Sequence, residues 1–182
     1  MISNFLSIKI IGLVVLCTTL AACDERHYTA DKPRINYWEV VDSYGNSNLA
    51  YNHHRHGNYH DRLYIDPSID DGYFELWWDV SNYDDYSVSI LINDSPSIFG
   101  SYELERTYCG IGLDCDYEGF AYCFYDNRGY DSISCSTHDY QSRDIDITHL
   151  MSGHPSKLFM ILEVCDSYSG YCDVQSQPVI FE

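Results

Sequence analysis

The stretch at residues 74–80, Phe-Glu-Leu-Trp-Trp-Asp-Val, alternates strictly. Phe74, Leu76, Trp78 and Val80 fall on one side of an extended chain, and Glu75, Trp77 and Asp79 fall on the other. Residues 86–93 repeat the pattern, with Tyr86, Val88, Ile90 and Ile92 opposite Ser87, Ser89, Leu91 and Asn93, and residues 81–85 supply a turn between the two runs. Alternation of this kind is what an antiparallel sheet with one buried face requires. Working outward, residues 35–41 place Trp38 and Val40 against Tyr37, Glu39 and Val41, and residues 62–65 form a second candidate strand ended by Asp66-Pro67. Residues 101–107, 120–125, 130–136, 157–165 and 174–181 complete the set. No segment carries a 3.6-residue apolar period over a helix length, although a helical turn near His149 fits. Many short strands separated by turn residues predict an all-β fold, an antiparallel β-sandwich or an irregular barrel.

Composition agrees with a folded domain. The chain has 182 residues, 45% of them hydrophobic and 15% aromatic, with 18 tyrosines, which is too apolar for a disordered chain. Its 28 acidic against 10 basic residues give a formal charge of −18. A chain this acidic lacks the basic face that phosphate neutralisation demands, so no nucleic-acid partner is expected; cations or a basic protein fit better.

The start of the chain reads as an export signal. Lys9 precedes the apolar run IIGLVVLCTTLAA at residues 10–22, which is too short to span a bilayer but has the size of a signal-peptide core. Its end, Leu20-Ala21-Ala22-Cys23, resembles a bacterial lipobox. That resemblance implies that residues 1–22 are removed and that Cys23 becomes the acylated first residue of the mature chain. The resulting organisation is a signal peptide at 1–22, a lipid-anchored polar tether at 23–34 and a β-sandwich domain at 35–182. The implied location is the bacterial envelope, facing the periplasm. Asp24 resembles the inner-membrane retention signal of enteric bacteria, with the outer membrane as the other destination. Loss of Lys9 with the signal makes the mature chain one charge more negative than the whole.

Cys17 would leave with the signal, and six cysteines remain beyond Cys23. An even number in an exported domain points to disulfides. Cys165 and Cys172 flank a short Ser/Gly loop, Cys123 and Cys135 flank the turn cluster at residues 126–129, and Cys109 and Cys115 close a loop of five residues. Three local bridges are the expected pairing. No Cys-x-x-Cys occurs, so zinc-ribbon and thioredoxin-like sites are disfavoured.

The last third carries a second resemblance. Residues 144–150 (DIDITHL), Gly153 and residues 157–164 (KLFMILEV) are similar to the part of a fibronectin type III or immunoglobulin-like domain in which a strand, a Leu-containing turn and a Gly lead into the long sixth strand. Residues 177–181 would then be the closing strand and Trp78 the core tryptophan of an earlier one. The similarity covers residues 70–182 and implies a fold; sandwiches host too many activities for it to imply a role.

Three candidate sites stand out. His53, His54, His56 and His60 lie within eight residues, and together with Asp61 they have the donor chemistry for zinc or copper; solvated imidazoles in a polar loop are the simpler reading. Asp66, Asp70, Asp71, Asp84, Asp85, Asp114, Asp116 and Glu118 form acidic runs that match no calcium-binding motif and are expected as turn formers. Trp77, sharing a face with Glu75 and Asp79, has the chemistry of a carbohydrate platform or a protein hot spot. Burial beneath the Trp38 strand or a tyrosine is the expectation that a tandem Trp in a central strand favours. No nucleophile elbow, zinc-protease helix, phosphate loop or dinucleotide fingerprint occurs, so no enzyme is expected. His138-Asp139 makes no dyad, because neighbours in a strand point apart. The leading expectation is therefore a non-catalytic binding or structural lipoprotein. An inhibitor or immunity lipoprotein against a basic exported enzyme or toxin, and a divalent-metal binder using the four histidines, are the alternatives.

Overall fold

The alternation at residues 74–80 and 86–93 becomes two neighbouring strands that lie in different sheets. The computed structural model describes residues 32–47, 63–81, 85–116, 118–138 and 143–182. Among these, ten strands form: β1 (Arg34–Asp42), β2 (Leu63–Ile65), β3 (Tyr73–Ser81), β4 (Tyr86–Asn93), β5 (Tyr102–Cys109), β6 (Glu118–Asp126), β7 (Ser132–Ser136), β8 (Ile145–Asp146), β9 (Ser156–Asp166) and β10 (Cys172–Phe181). One sheet runs β1-β3-β6-β7-β8 and the other β2-β10-β9-β4-β5. Pairing is antiparallel throughout except at one edge, where the three-residue β2 lies parallel to β10, so the second sheet is mixed. The helical turn near His149 is a single 3₁₀ turn, Thr148–Leu150.

The inner faces follow the sequence periodicity. Phe74, Leu76, Trp78 and Val80 of β3 meet Val88, Ile90 and Ile92 of β4 and Leu158, Met160, Leu162 and Val164 of β9 in one buried core. Trp38 and Trp78 are register partners across β1 and β3, each only 2% exposed. Gly119, opposite Trp78, leaves room for that indole: a Cβ there would lie 2.4 Å from the ring. Phe181 stands edge-on to both Phe74 and Tyr125, the arrangement that aromatic quadrupoles favour.

A register shift between Ile35 and Tyr37 lets both Ile35 and Trp38 face inward, although their spacing of three breaks the period of two. Where this bulge interrupts the ladder, β10 of the other sheet supplies the partners. The Ile35 N–H donates to Asp173 Oδ2 at 2.9 Å, and Gln175 Nε2 donates to the Ile35 carbonyl at 3.0 Å. Two side chains thus bind the edge of one sheet to the other.

Three disulfides brace the sandwich as the sequence grouping predicts: Cys109–Cys115, Cys123–Cys135 and Cys165–Cys172. The second and third join residues directly opposite each other in β6–β7 and β9–β10. The connectivity has its own character. In the immunoglobulin order the edge strand of the first sheet comes before its neighbour in the chain. Here β6 comes first, beside β3, and β7 and β8 follow outward by successive hairpins. Residues 144–150 accordingly hold only the two-residue edge strand β8 and the 3₁₀ turn.

Candidate functional site

The outer face of the first sheet is where the chemistry collects. Because β3 turns Phe74, Leu76, Trp78 and Val80 inward, Tyr73, Glu75, Trp77 and Asp79 must point out. Register then sets their neighbours. Glu39 and Phe120 flank Trp77, Tyr37 and Glu118 flank Asp79, and Val41 and Tyr122 flank Glu75. Aromatic rings and carboxylates thus share each cross-strand row of this face.

Trp77 is not buried beneath the Trp38 strand, as a tandem Trp in a central strand led one to expect; it is 42% exposed. Its ring stacks on that of Phe120, itself 47% exposed, with centroids 5.2 Å apart and planes 26° from parallel. The indole N–H donates to Glu75 Oε2 at 2.8 Å, and the Tyr73 hydroxyl donates to Glu75 Oε1 at 2.5 Å, so one carboxylate orients two rings. Tyr73 in turn lies 5.4 Å from the Phe124 ring. At the other end, Tyr37, Trp77, Trp78, Asp79, Glu118, Gly119 and Phe120 line an open hollow of about 520 Å³. The two acids of this hollow stand directly opposite one another in the β3–β6 ladder. Like charges in that position repel.

Two phenols on this face, Tyr73 and Tyr37, hold their protons. Burial, then the hydrogen bond to Glu75, pushes Tyr73 up to about 12, and burial, then the hydrogen bond to Glu39, pushes Tyr37 up to about 12. A phenol whose pKa is higher in the folded state stabilises the fold below the unfolded value near 10 and loses that contribution as pH rises through the folded value. The domain should therefore weaken between pH 10 and about 12. Absorbance at 295 nm should show a late class of tyrosines ionising together with loss of the circular dichroism signal. Ionisation of every tyrosine near pH 10 with the fold intact would contradict this.

A second polar cluster serves the fold. The buried Tyr125 hydroxyl donates to Asp131 Oδ1 at 2.7 Å, and the Asp131 N–H donates to Thr148 Oγ1 at 3.1 Å. His154 Nε2 lies 3.4 Å from the same carboxylate. Burial raises the Tyr125 pKa, with the Asp131 hydrogen bond second. This network ties the β6–β7 hairpin to the turn before β9, and sequence spacing gave no sign of it.

The other sequence candidates fall as follows. His53, His54, His56, His60 and Asp61, and likewise Asp84 and Asp139, lie outside the described residues. Asp66 is a turn former: its Oδ1 accepts the Ser68 N–H and hydroxyl at 2.8 and 2.7 Å, which holds its carboxyl below the usual range. His138 Nε2 approaches Asp114 at 3.6 Å, and its Nδ1 lies 2.9 Å from Thr137 Oγ1. Among the described residues, one group of three metal-capable side chains converges, Glu163 with Cys165 and Cys172. Those sulfurs are joined to each other in a disulfide and are not thiolate ligands. Tyr37 and Phe120 are the site residues that sequence reading missed. The alternation at residues 120–125 already put Phe120, Tyr122 and Phe124 on one face, but only register places them beside Trp77.

No family model matches the chain, and neither a curated protein nor a solved structure is significantly similar to it. What can be said of its class comes from the fold and this face: a disulfide-braced β-sandwich with an exposed aromatic and acidic sheet surface.

Proposed function

We propose that this protein is a lipid-anchored module of the bacterial envelope that faces the periplasm and binds a partner without catalysis, using the outer face of the β1-β3-β6 sheet. The observation that carries the reading is the exposed Trp77–Phe120 stack. The other two tryptophans, Trp38 and Trp78, are buried at 2% exposure each, whereas Trp77 and Phe120 lie side by side and half exposed, a contiguous aromatic patch with a solvation cost. Such patches on folded domains mark interaction sites. Cross-linking in the producing cells tests it: a photoreactive phenylalanine analogue at Phe120 should yield a discrete adduct of higher mass, and the same analogue at the exposed Phe99, in the β4–β5 loop of the other sheet, should not. Absence of any adduct specific to position 120 would count against the face.

The anchor rests on Lys9, the apolar run and Leu20-Ala21-Ala22-Cys23. Two or three acyl chains on Cys23 give durable attachment where one would be marginal. Residues 24–34, fully extended, reach at most about 36–40 Å, and anionic lipid would hold an acidic domain away from the surface. Labelled palmitate should enter the wild-type chain and be lost from Cys23→Ala; equal labelling of the two would remove the anchor.

A further inference from the structure

We propose that the hollow between Tyr37, Trp77 and Phe120 receives the guanidinium of an arginine on a basic protein partner; this inference rests on the binding-face reading above. Four aromatic side chains and two carboxylates line the hollow, and among the described residues no lysine or arginine does. Asp79 and Glu118 face each other across the ladder, and neither is in an ion pair among the described residues. A cation placed between them would relieve their repulsion and lie against the aromatic faces at the same time.

Arginine suits the space better than other cations. Its planar group stacks on a ring while donating a two-pronged hydrogen bond to a carboxylate, and its weak hydration makes it easier to strip of water than an ammonium. A protein fits better than a small amine because the same chemistry continues along the face. Glu39 of β1 and Glu75 of β3 lie in the next two cross-strand rows, and successive rows on one face are about 7 Å apart, a spacing that an extended basic segment can match. The formal charge of −18 would speed encounter with such a partner. A sugar platform accounts for less: stacking of Trp77 on Phe120 occupies one face of each ring, and hydroxyl groups would leave the paired carboxylates uncompensated.

Calorimetric titration of the full chain in detergent with hexa-arginine amide and, separately, with chitohexaose tests this. Hexa-arginine should bind with an affinity that falls with salt. Trp77→Ala, which leaves every charge in place, should weaken it by about tenfold or more, and the double variant Asp79→Asn/Glu118→Gln should do likewise. Glu163→Gln on the other sheet, which also removes a charge, should change it less than twofold. Both Trp77 and Phe120 are half exposed, and Phe120→Ala provides a second aromatic test should the tryptophan variant fail to fold. Equal hexa-arginine affinity in wild type and Trp77→Ala would overturn the proposal by showing attraction to overall charge only. Binding of chitohexaose alone, lost in Trp77→Ala, would overturn the cationic partner while leaving the binding face in place. No binding of either probe would remove both.

Discussion

Reduction of the three disulfides should unfold the domain near room temperature. The bridges span sequence separations of 6, 12 and 7 residues, and chain entropy assigns each short loop roughly 2–3 kcal/mol. Together they approach about 7–8 kcal/mol, which is the size of the whole stability of an ordinary domain. The contributions differ in kind. Cys123, Cys135 and Cys109 belong to the buried core, so the first two bridges also fill space there, whereas Cys165 and Cys172 are half-buried at a hairpin end. Reductant should open Cys165–Cys172 first, with little loss of signal, and Cys123–Cys135 only as the sheets separate. Thermal melts followed by circular dichroism with and without reductant measure this, and Cys123→Ala/Cys135→Ala isolates the inner bridge at a cost of about 3 kcal/mol. Coincident melting curves would show that the core holds without its bridges.

Replacing Trp78 by Ala should cost about 3–5 kcal/mol, the range for removing a fully buried large aromatic. The indole is buried in the core, against the space that Gly119 leaves and beside its register partner Trp38, so its loss would leave a large void. Trp78→Phe should be far milder, about 1–2 kcal/mol. The indole N–H of Trp78 is buried and has no hydrogen-bond partner among the described residues; phenylalanine keeps much of the volume and removes that unsatisfied donor. Trp38 has the same unpartnered N–H and should show the same ranking. Urea midpoints at constant slope would report the differences. An alanine variant within 1 kcal/mol of wild type would mean that the tryptophan pair is not the keystone of the core.

Much of the fold was legible because strand faces are local. A period of two assigns Trp78 and Trp77 to opposite sides regardless of what lies far away in the chain, and Leu76 and Val80 identify the Trp78 side as the inner one. The bulge at Asn36 was not legible, since nothing in Ile35-Asn36-Tyr37 announces that β10 will supply Asp173 and Gln175 as substitute partners. Nor was the parallel pairing of β2, because three residues carry too little pattern to state a direction. The candidate site divides in the same way. Glu75 and Asp79 beside Trp77 follow from spacing within one strand, while Phe120, Tyr37 and Glu118 arrive by register with strands about 40 residues away on either side. The expectation that Trp77 would be covered failed for the same reason, since its exposure depends on what packs over the sheet.

By itself, the sequence determined the all-β class, the inward faces of the main strands and the three short cysteine loops. All of these rest on interactions within a strand or across a nearby turn, where chain connectivity restricts the alternatives. Only the tertiary structure decided the order of strands, the mixed edge at β2, the Tyr125–Asp131 network and the exposure of Trp77 against Phe120. These depend on pairings between distant segments. Many such pairings satisfy the same alternation, and what selects one is the packing of the two inner faces against each other as a whole.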